Sequence, residues 1–195
     1  MSRLHYYAAM LFLVASLFSL VGPSLDRSMP DREVTIVTVR GPAQPALPGP
    51  GWFQTIKPYC NTLEVEVALR NKPAPNSPDG VAYTAACLAL AGRIGDARAT
   101  IRTLPESERF SAAGIVFDVA HPIADAGDDR SAGPIMGLVV EFWPNHYMAL
   151  YHAGMASYGL GYGDLAREYL EQFIELYDQE DGWRANAEQV LGRIK

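Results

Sequence analysis

The chain has 195 residues, 49% of them hydrophobic, which is enough for one globular domain with a substantial core and an additional segment. Its formal net charge is −6 at pH 7. This acidic balance argues against nucleic-acid binding, which needs a basic surface to neutralise phosphates.

The first predicted element is a membrane anchor at residues 1–25. Residues 6–25 carry no charge, and about 20 such residues are long enough to cross a bilayer as a helix. Leu20 and Pro23 disturb the small-x-small pattern of a signal-peptide cleavage site. The sequence therefore favours an uncleaved transmembrane helix, with a cleaved signal peptide as the alternative.

Residues 26–60 are predicted to form an extended, proline-rich linker between the membrane and the folded domain. Within it, residues 33–40 read EVTIVTVR, a run of β-branched residues that predicts a strand. Residues 41–51 contain four prolines, which favour a semi-rigid spacer.

A lead-in segment, residues 61–78, precedes the main domain. Residues 63–69 alternate apolar and acidic side chains at first, as a strand would. Asn61, however, is suited to cap a helix, and Glu64 can complete a capping box. Helix is the favoured interpretation, which leaves the strand at 33–40 to pair with another subunit or to lie along the domain surface.

Two cysteines, Cys60 and Cys87, lie on either side of this segment. Because Cys87 falls in the first helix of the main domain, near which the segment should pack, a disulfide between them is predicted, and it favours an oxidising, extracytoplasmic compartment. The alternative is a small core residue at Cys87 and a free thiol at Cys60. The positive-inside rule does not decide the orientation, because positive charges lie on both sides of the apolar segment.

Three copies of one pattern occupy most of the remaining chain, centred on Ala97, Ala132 and Ala166. Large apolar residues lie four and seven positions after each alanine: Ile101 and Leu104, Met136 and Val139, Leu170 and Phe173. A small residue lies twelve positions before each: Ala85, Ala120 and Gly154. A spacing of about 34 residues fits two antiparallel helices joined by short turns.

This pattern resembles the tetratricopeptide repeat (TPR), whose consensus has small residues at the eighth and twentieth positions and a proline near its end. The resemblance covers residues 79–178. Its second copy ends in Pro144 at the expected place, whereas the other two have Arg109 and Asp178 there. Residues 181–195, which begin with a potential cap at Asp181, are predicted to be the capping helix of the array.

The predicted fold class is therefore mainly α. The resemblance implies a TPR-like α-solenoid of about three helix hairpins plus a capping helix, preceded by one transmembrane helix and a short extended segment. Pro122 is expected to interrupt the first helix of the second copy, and Pro134 is expected to fall inside the second.

In the TPR family, the inner helix of each repeat lines a concave surface that binds partners. Large amphipathic side chains at such positions are typical interface anchors. The resemblance implies the partner-binding residues Phe117, His121, Met148, Tyr151, Met155 and Tyr158. The alternative is that Tyr151 and Tyr158 pack against the next helix.

The most suggestive polar group for chemistry includes His121 and Asp125, one helical turn apart and both of metal-ligand type. They coincide with a predicted turn, where aspartate and glycine serve as caps, and turn chemistry is the favoured interpretation. His146 and His152 are assigned to packing. The sequence predicts no catalytic residue, no metal ligand and no cofactor, and hence no enzyme.

The predicted function is a non-catalytic, membrane-anchored TPR-like scaffold or accessory subunit that docks on and stabilises a larger membrane protein complex. Respiratory and photosynthetic complexes commonly contain subunits of this architecture. The expected location is the inner (cytoplasmic) membrane, with a single span at residues 6–25 in the bilayer and the C-terminal domain in the periplasm. The alternatives are a free envelope adaptor or chaperone that binds peptides, and a secreted metal-binding enzyme that uses His121 and Asp125.

Overall fold

Residues 48–194 are described by the computed structural model, and within them the chain forms helices and no strand. The helices are α1 (Gly49–Ile56), α2 (Val65–Asn71), α3 (Pro78–Leu90), α4 (Ile94–Arg102), α5 (Glu106–Asp125), α6 (Asp129–Phe142), α7 (Tyr147–Gly159), α8 (Gly163–Leu176) and α9 (Gly182–Leu191), with a 3₁₀ turn at Lys57–Tyr59. The predicted mainly helical class is confirmed. The predicted anchor at 1–25 and strand at 33–40 lie outside the described residues, and none of the described helices is both long and apolar enough to cross a membrane.

Helix α1 lies where the sequence predicts an extended linker, so the linker at 26–60 is wrong for its last part. Pro50 stands in the first turn of α1, where a proline has no helical hydrogen bond to lose. Trp52, Phe53 and Ile56 are buried against the domain, and the Trp52 Nε1 donates a hydrogen bond to the Lys72 carbonyl at 3.0 Å. The prolines at residues 41–51 suggested a spacer, but the apolar side chains that follow them, Trp52, Phe53 and Ile56, belong to the core.

The lead-in segment forms a helix, α2, as the favoured interpretation has it. The Asn61 Oδ1 accepts hydrogen bonds from the backbone N–H groups of Leu63 and Glu64, both at 3.1 Å, and its Nδ2 donates to the Glu64 carboxylate at 2.7 Å. These bonds satisfy backbone donors that precede the first helical turn.

A disulfide joins Cys60 to Cys87, whose Cα atoms are 4.9 Å apart. Cys60 follows the 3₁₀ turn and Cys87 lies on a fully buried face of α3. The bond therefore attaches the N-terminal part of the domain to helix α3. The pairing is the one that the sequence predicts.

Three successive helix pairs, α3/α4, α5/α6 and α7/α8, are joined by turns of the same construction. Each turn contains a glycine with positive φ: Gly92 at 76°, Gly127 at 77° and Gly161 at 86°. After each glycine, a backbone N–H bonds to the carbonyl five residues earlier, from Arg93 to Leu88, from Asp128 to Ile123 and from Tyr162 to Ser157. This is the Schellman arrangement that ends a helix when a glycine adopts the left-handed conformation.

Both helices of the second pair run through their prolines, so the interruption expected at Pro122 is wrong, whereas Pro134 lies inside its helix as predicted. Each proline removes only one helical hydrogen bond, and the rest of its turn remains bonded. Ala120 and Ala124, on either side of Pro122, are buried and hold this last turn of α5 against the core. Tertiary packing thus keeps His121 and Asp125 on one helical face.

The positions that define the sequence pattern form the core. Ala97, Ala132 and Ala166 are at most 1% exposed, which lets neighbouring helices approach closely. The large residues that follow them are buried as well: Ile101, Leu104, Met136, Val139, Leu170 and Phe173. Helix α9 packs on α7 and α8 through Ala187 and Val190, and the Asp181 carboxylate caps it by accepting from the N–H of Trp183 at 2.9 Å.

Candidate functional site

An open groove of about 430 Å³ lies between the middle of α5 and the beginning of α7. Helix α5 contributes its inner face, and the turn between α6 and α7 contributes the residues after the helix end at Phe142. The lining residues are Phe117, His121, Trp143, Asn145, His146, Tyr147 and Met148. The groove thus combines aromatic rings with a few polar groups, as binding sites commonly do.

The aromatic wall of the groove is a continuous set of ring contacts. His146 stands in its middle, with ring centroids 4.0 Å from Phe117 and 4.4 Å from Trp143. Phe117 also stacks on His121 at 4.6 Å, and Trp143 contacts Phe110 at 4.0 Å. Because each ring is held by its neighbours, the surface is largely formed before any partner arrives.

His146 is held in place by a second interaction, since it is the N-cap of α7. Its Nδ1 accepts a hydrogen bond from the Ala149 N–H at 3.2 Å, so this nitrogen carries no proton. Burial lowers the pKa of His146, while the carboxylate of Asp118 opposes that shift and the nearby His121 adds to it. The groove therefore contains a neutral imidazole at neutral pH.

The structure brings three of the six predicted partner-binding residues into this groove: Phe117, His121 and Met148. Tyr151 does not line it. Its side chain is 5% exposed and packs edge-on against Phe173 and Trp183, at centroid distances of 5.1 and 4.9 Å. For Tyr151, the alternative of packing against the following helices is the one that the structure shows.

The two remaining predicted residues, Met155 and Tyr158, are half-buried and pack against the apolar cluster between α7, α8 and α9. They lie one and two turns beyond Tyr151 on α7, where α8 and α9 cover the helix. They are not among the residues that line the groove. The inner-helix positions of the third hairpin are therefore divided between core and groove.

Sequence reasoning did not predict a site in the α6–α7 turn region and assigned its aromatic residues and His146 to packing, whereas the groove is lined there by Trp143, Asn145, His146 and Tyr147. The segment WPNHY does carry a signal. Turns are usually polar, and two aromatic rings beside an imidazole in a turn indicate a surface with a specific role. The repeat pattern drew attention to the helices instead, because turn residues lie outside its periodic positions.

A second arrangement, hereafter the histidine cluster, consists of His121, Asp125 and His152. The Asp125 Oδ1 lies 3.3 Å from the His121 Nε2 and 3.6 Å from the His152 Nε2. His152, on α7, is 4% exposed, and burial, helped by the nearby His121, lowers its pKa to about 4. Neither Nε2 atom has a hydrogen-bond partner of good geometry.

The cluster differs from the sequence interpretation in one respect. Turn chemistry explains Asp128, whose carboxylate accepts from the Ser131 N–H at 3.2 Å and caps α6. It does not explain Asp125, which faces two imidazoles instead of a backbone donor. His152 was assigned to packing, and it does contact Tyr151 and Trp183, but its ring nitrogen points to the carboxylate.

No protein-family model matches this chain, and neither a curated protein nor a solved structure matches it.

Proposed function

We propose that the chain is a non-catalytic, TPR-like scaffold subunit that docks on and stabilises a larger membrane protein complex through the groove between α5 and α7. In this proposal residues 6–25 anchor it in the membrane, and the helical domain faces the extracytoplasmic side. The partner inserts apolar or aromatic side chains into the groove.

Support for the TPR-like assignment comes from the recurrence of the turns and of the buried alanines. Gly92, Gly127 and Gly161 have the same spacing as the three alanines, and each ends the first helix of a pair in the same way. Repeated hairpins bury a shared core only when they stack, which makes their inner helices a continuous surface. Such surfaces typically bind other proteins.

The groove is the observation that carries the docking proposal. Its volume falls in the range of about 300–1,000 Å³ that is typical of binding pockets. Tyr147, at its edge, is 43% exposed, and the rings behind it are held by mutual contacts. A rigid aromatic surface binds with a small loss of conformational entropy, which is why tyrosine and tryptophan dominate interface hot spots.

The disulfide supports the extracytoplasmic location. Disulfides persist in the periplasm and other oxidising compartments and are rare in the cytosol. The Cys60–Cys87 bond closes a loop within the folded domain, which supports the proposal that the domain itself, and not only the N-terminal segment, lies on that side.

The test compares two exposed tyrosines on the full chain expressed in its native membranes. Tyr147→Asp places a charge in the groove, whereas Tyr162→Asp places one on a tyrosine that is 62% exposed at the α7–α8 turn. After gentle extraction, we expect Tyr147→Asp to reduce co-purification with integral membrane proteins on the order of tenfold, and Tyr162→Asp to leave it unchanged. Equal retention of both variants would contradict docking through the groove.

The same preparation distinguishes the anchored subunit from a free adaptor. Mass spectrometry of the intact chain should find residues 1–25 retained and a fixed stoichiometry with the membrane partners. A soluble monomer that begins near residue 25 would overturn the anchored-subunit proposal and support the peptide-binding adaptor.

A further inference from the structure

We propose that His121, Asp125 and His152 form a binding site for a divalent transition-metal ion of the Zn²⁺ class. The proposal goes beyond the docking function and does not depend on it. The three ligand atoms would be the Nε2 of each imidazole and a carboxylate oxygen of Asp125.

The separations of these atoms suit a shared ion. Two ligands that are each about 2.05 Å from a tetrahedral metal lie about 3.3 Å from one another. The Asp125 Oδ1 is 3.3 Å from the His121 Nε2 and 3.6 Å from the His152 Nε2, and all the ligand atoms lie within 4.8 Å of one another. Because the widest of these separations can exceed the tetrahedral spacing, binding of one ion would rotate the side chains toward one another.

The cluster also contains buried ring nitrogens that lack a hydrogen-bond partner. His152 is 96% buried by its relative exposure of 4%, yet its Nε2 has no hydrogen-bond partner, and neither has the His121 Nε2. Buried polar atoms without partners are rare in folded proteins and cost free energy. A metal ion would satisfy both nitrogens at once, because each presents a lone pair to it in the neutral form.

The surroundings favour a cation. His121 and Asp125 occupy the last turn of α5, and the C-terminal end of a helix carries partial negative charge. His152 approaches from α7, in the next helix pair, so the site needs both α5 and α7 in their folded positions.

The exposure of the site and the types of its ligands both suit a transition-metal ion. The Asp125 side chain is 47% exposed, so an ion can reach the two imidazoles past the carboxylate. Two imidazoles and one carboxylate suit zinc and other first-row transition metals better than calcium or magnesium, which prefer oxygen ligands. With three protein ligands, the remaining coordination positions would face the solvent side of Asp125.

The first experiment measures metal binding by the full, untagged chain in mild detergent, since a histidine tag would bind the same ions. After treatment with a chelator, the protein is titrated with Co²⁺, followed by its visible absorption, and with Zn²⁺ in competition with a chromophoric chelator. We expect one equivalent of each ion to bind. Failure of the wild-type chain to bind one equivalent would overturn the proposal.

Variants then assign the ligands. Asp125→Asn and His121→Gln should each lower the affinity on the order of 100-fold, and His152→Gln should do the same. Asp118→Asn is the matched control, because Asp118 is an exposed aspartate two turns earlier on α5 that contributes no ligand atom. Circular dichroism verifies that each variant is folded. If His152→Gln does not fold, the test rests on Asp125→Asn, because Asp125 is exposed. An unchanged metal affinity in Asp125→Asn would overturn the proposal.

Discussion

At the scale of single residues, His146 links the groove to the stability of α7. Its Nδ1 accepts the Ala149 N–H, and its ring lies between Phe117 and Trp143. A protonated imidazole has no lone pair to accept this bond, so the cap exists only in the neutral form. Burial lowers the pKa of His146 below the ordinary value, which shows that the fold favours that form.

A pH dependence of stability follows. Because the pKa of His146 is lower in the folded chain than in the unfolded chain, the cap contributes fully above the unfolded value of about 6.5 and is lost as the pH falls through the folded value. Urea unfolding at pH 7 and pH 5 should show the wild-type chain losing about 1 kcal/mol more than His146→Asn. Asparagine caps a helix at both pH values, and protonation of His152 affects both chains equally. Equal losses of unfolding free energy in the two chains would therefore contradict the capping role of His146.

At the scale of helices, the contact between α7 and α8 depends on a missing side chain. Gly154 is buried at the position where the sequence pattern requires a small residue, and a Cβ atom there would lie 2.6 Å from the Leu170 Cγ. Leu170 is fully buried, so it has little room to move away. Close approach of the two helices therefore requires glycine at this position.

Gly154→Ala should accordingly destabilise the domain by about 1–3 kcal/mol through overpacking. The control is Gly95→Ala. Gly95 lies exposed within α4, no atom would come within 4 Å of its added Cβ, and alanine should stabilise this helix by about 0.5–1 kcal/mol. Chemical denaturation of the two variants measures both effects. Shifts of the same sign would show that helix propensity, and not the α7–α8 contact, controls position 154.

At the scale of the whole domain, the disulfide connects the N-terminal helices to the hairpins. Helix α1 packs on α3, and Cys60 is bonded to Cys87 of that same helix, 27 residues further along the chain. Buried Trp52, Phe53 and Ile56 hold α1 by apolar contact, so the covalent bond and the packing act on the same junction.

Replacing both cysteines with alanine should lower the free energy of unfolding by about 3.5 kcal/mol, because the bond closes a loop of this length and so lowers the entropy of the unfolded chain. Hydrogen exchange should increase more in α1 than in α8, since α1 lies beside the bond. Adding a reductant should destabilise the wild-type chain and leave the double variant unchanged. Equal stability of the reduced and oxidised wild-type chain would contradict this contribution.

The helix pairs and their turns were predictable because the residues that form them are close together in the chain. The three alanines, the apolar residues after them and the glycine turns repeat at a fixed spacing, which is enough to place three helix pairs and their buried faces. The cap at Asp181 follows in the same way from residue type, and so do the hydrogen bonds that Asn61 accepts in the turn before α2. The helix α1 was missed because its prolines suggested a linker, whereas the packing of Trp52 and Phe53 that makes it part of the domain involves distant residues.

The candidate site was only partly predictable from the sequence. The residue types at Phe117, His121 and Met148 and the periodicity around them determined that these side chains lie on inner helices. Which of the inner positions are open depends on tertiary packing, because α8 and α9 cover Tyr151 while the α6–α7 turn leaves the groove exposed. Likewise, the chain order alone places His121 and Asp125 one turn apart, whereas the stacking of two hairpins brings His152 to them. The reason is physical: helical spacing is set by neighbouring residues, whereas contacts between hairpins depend on how whole helices pack.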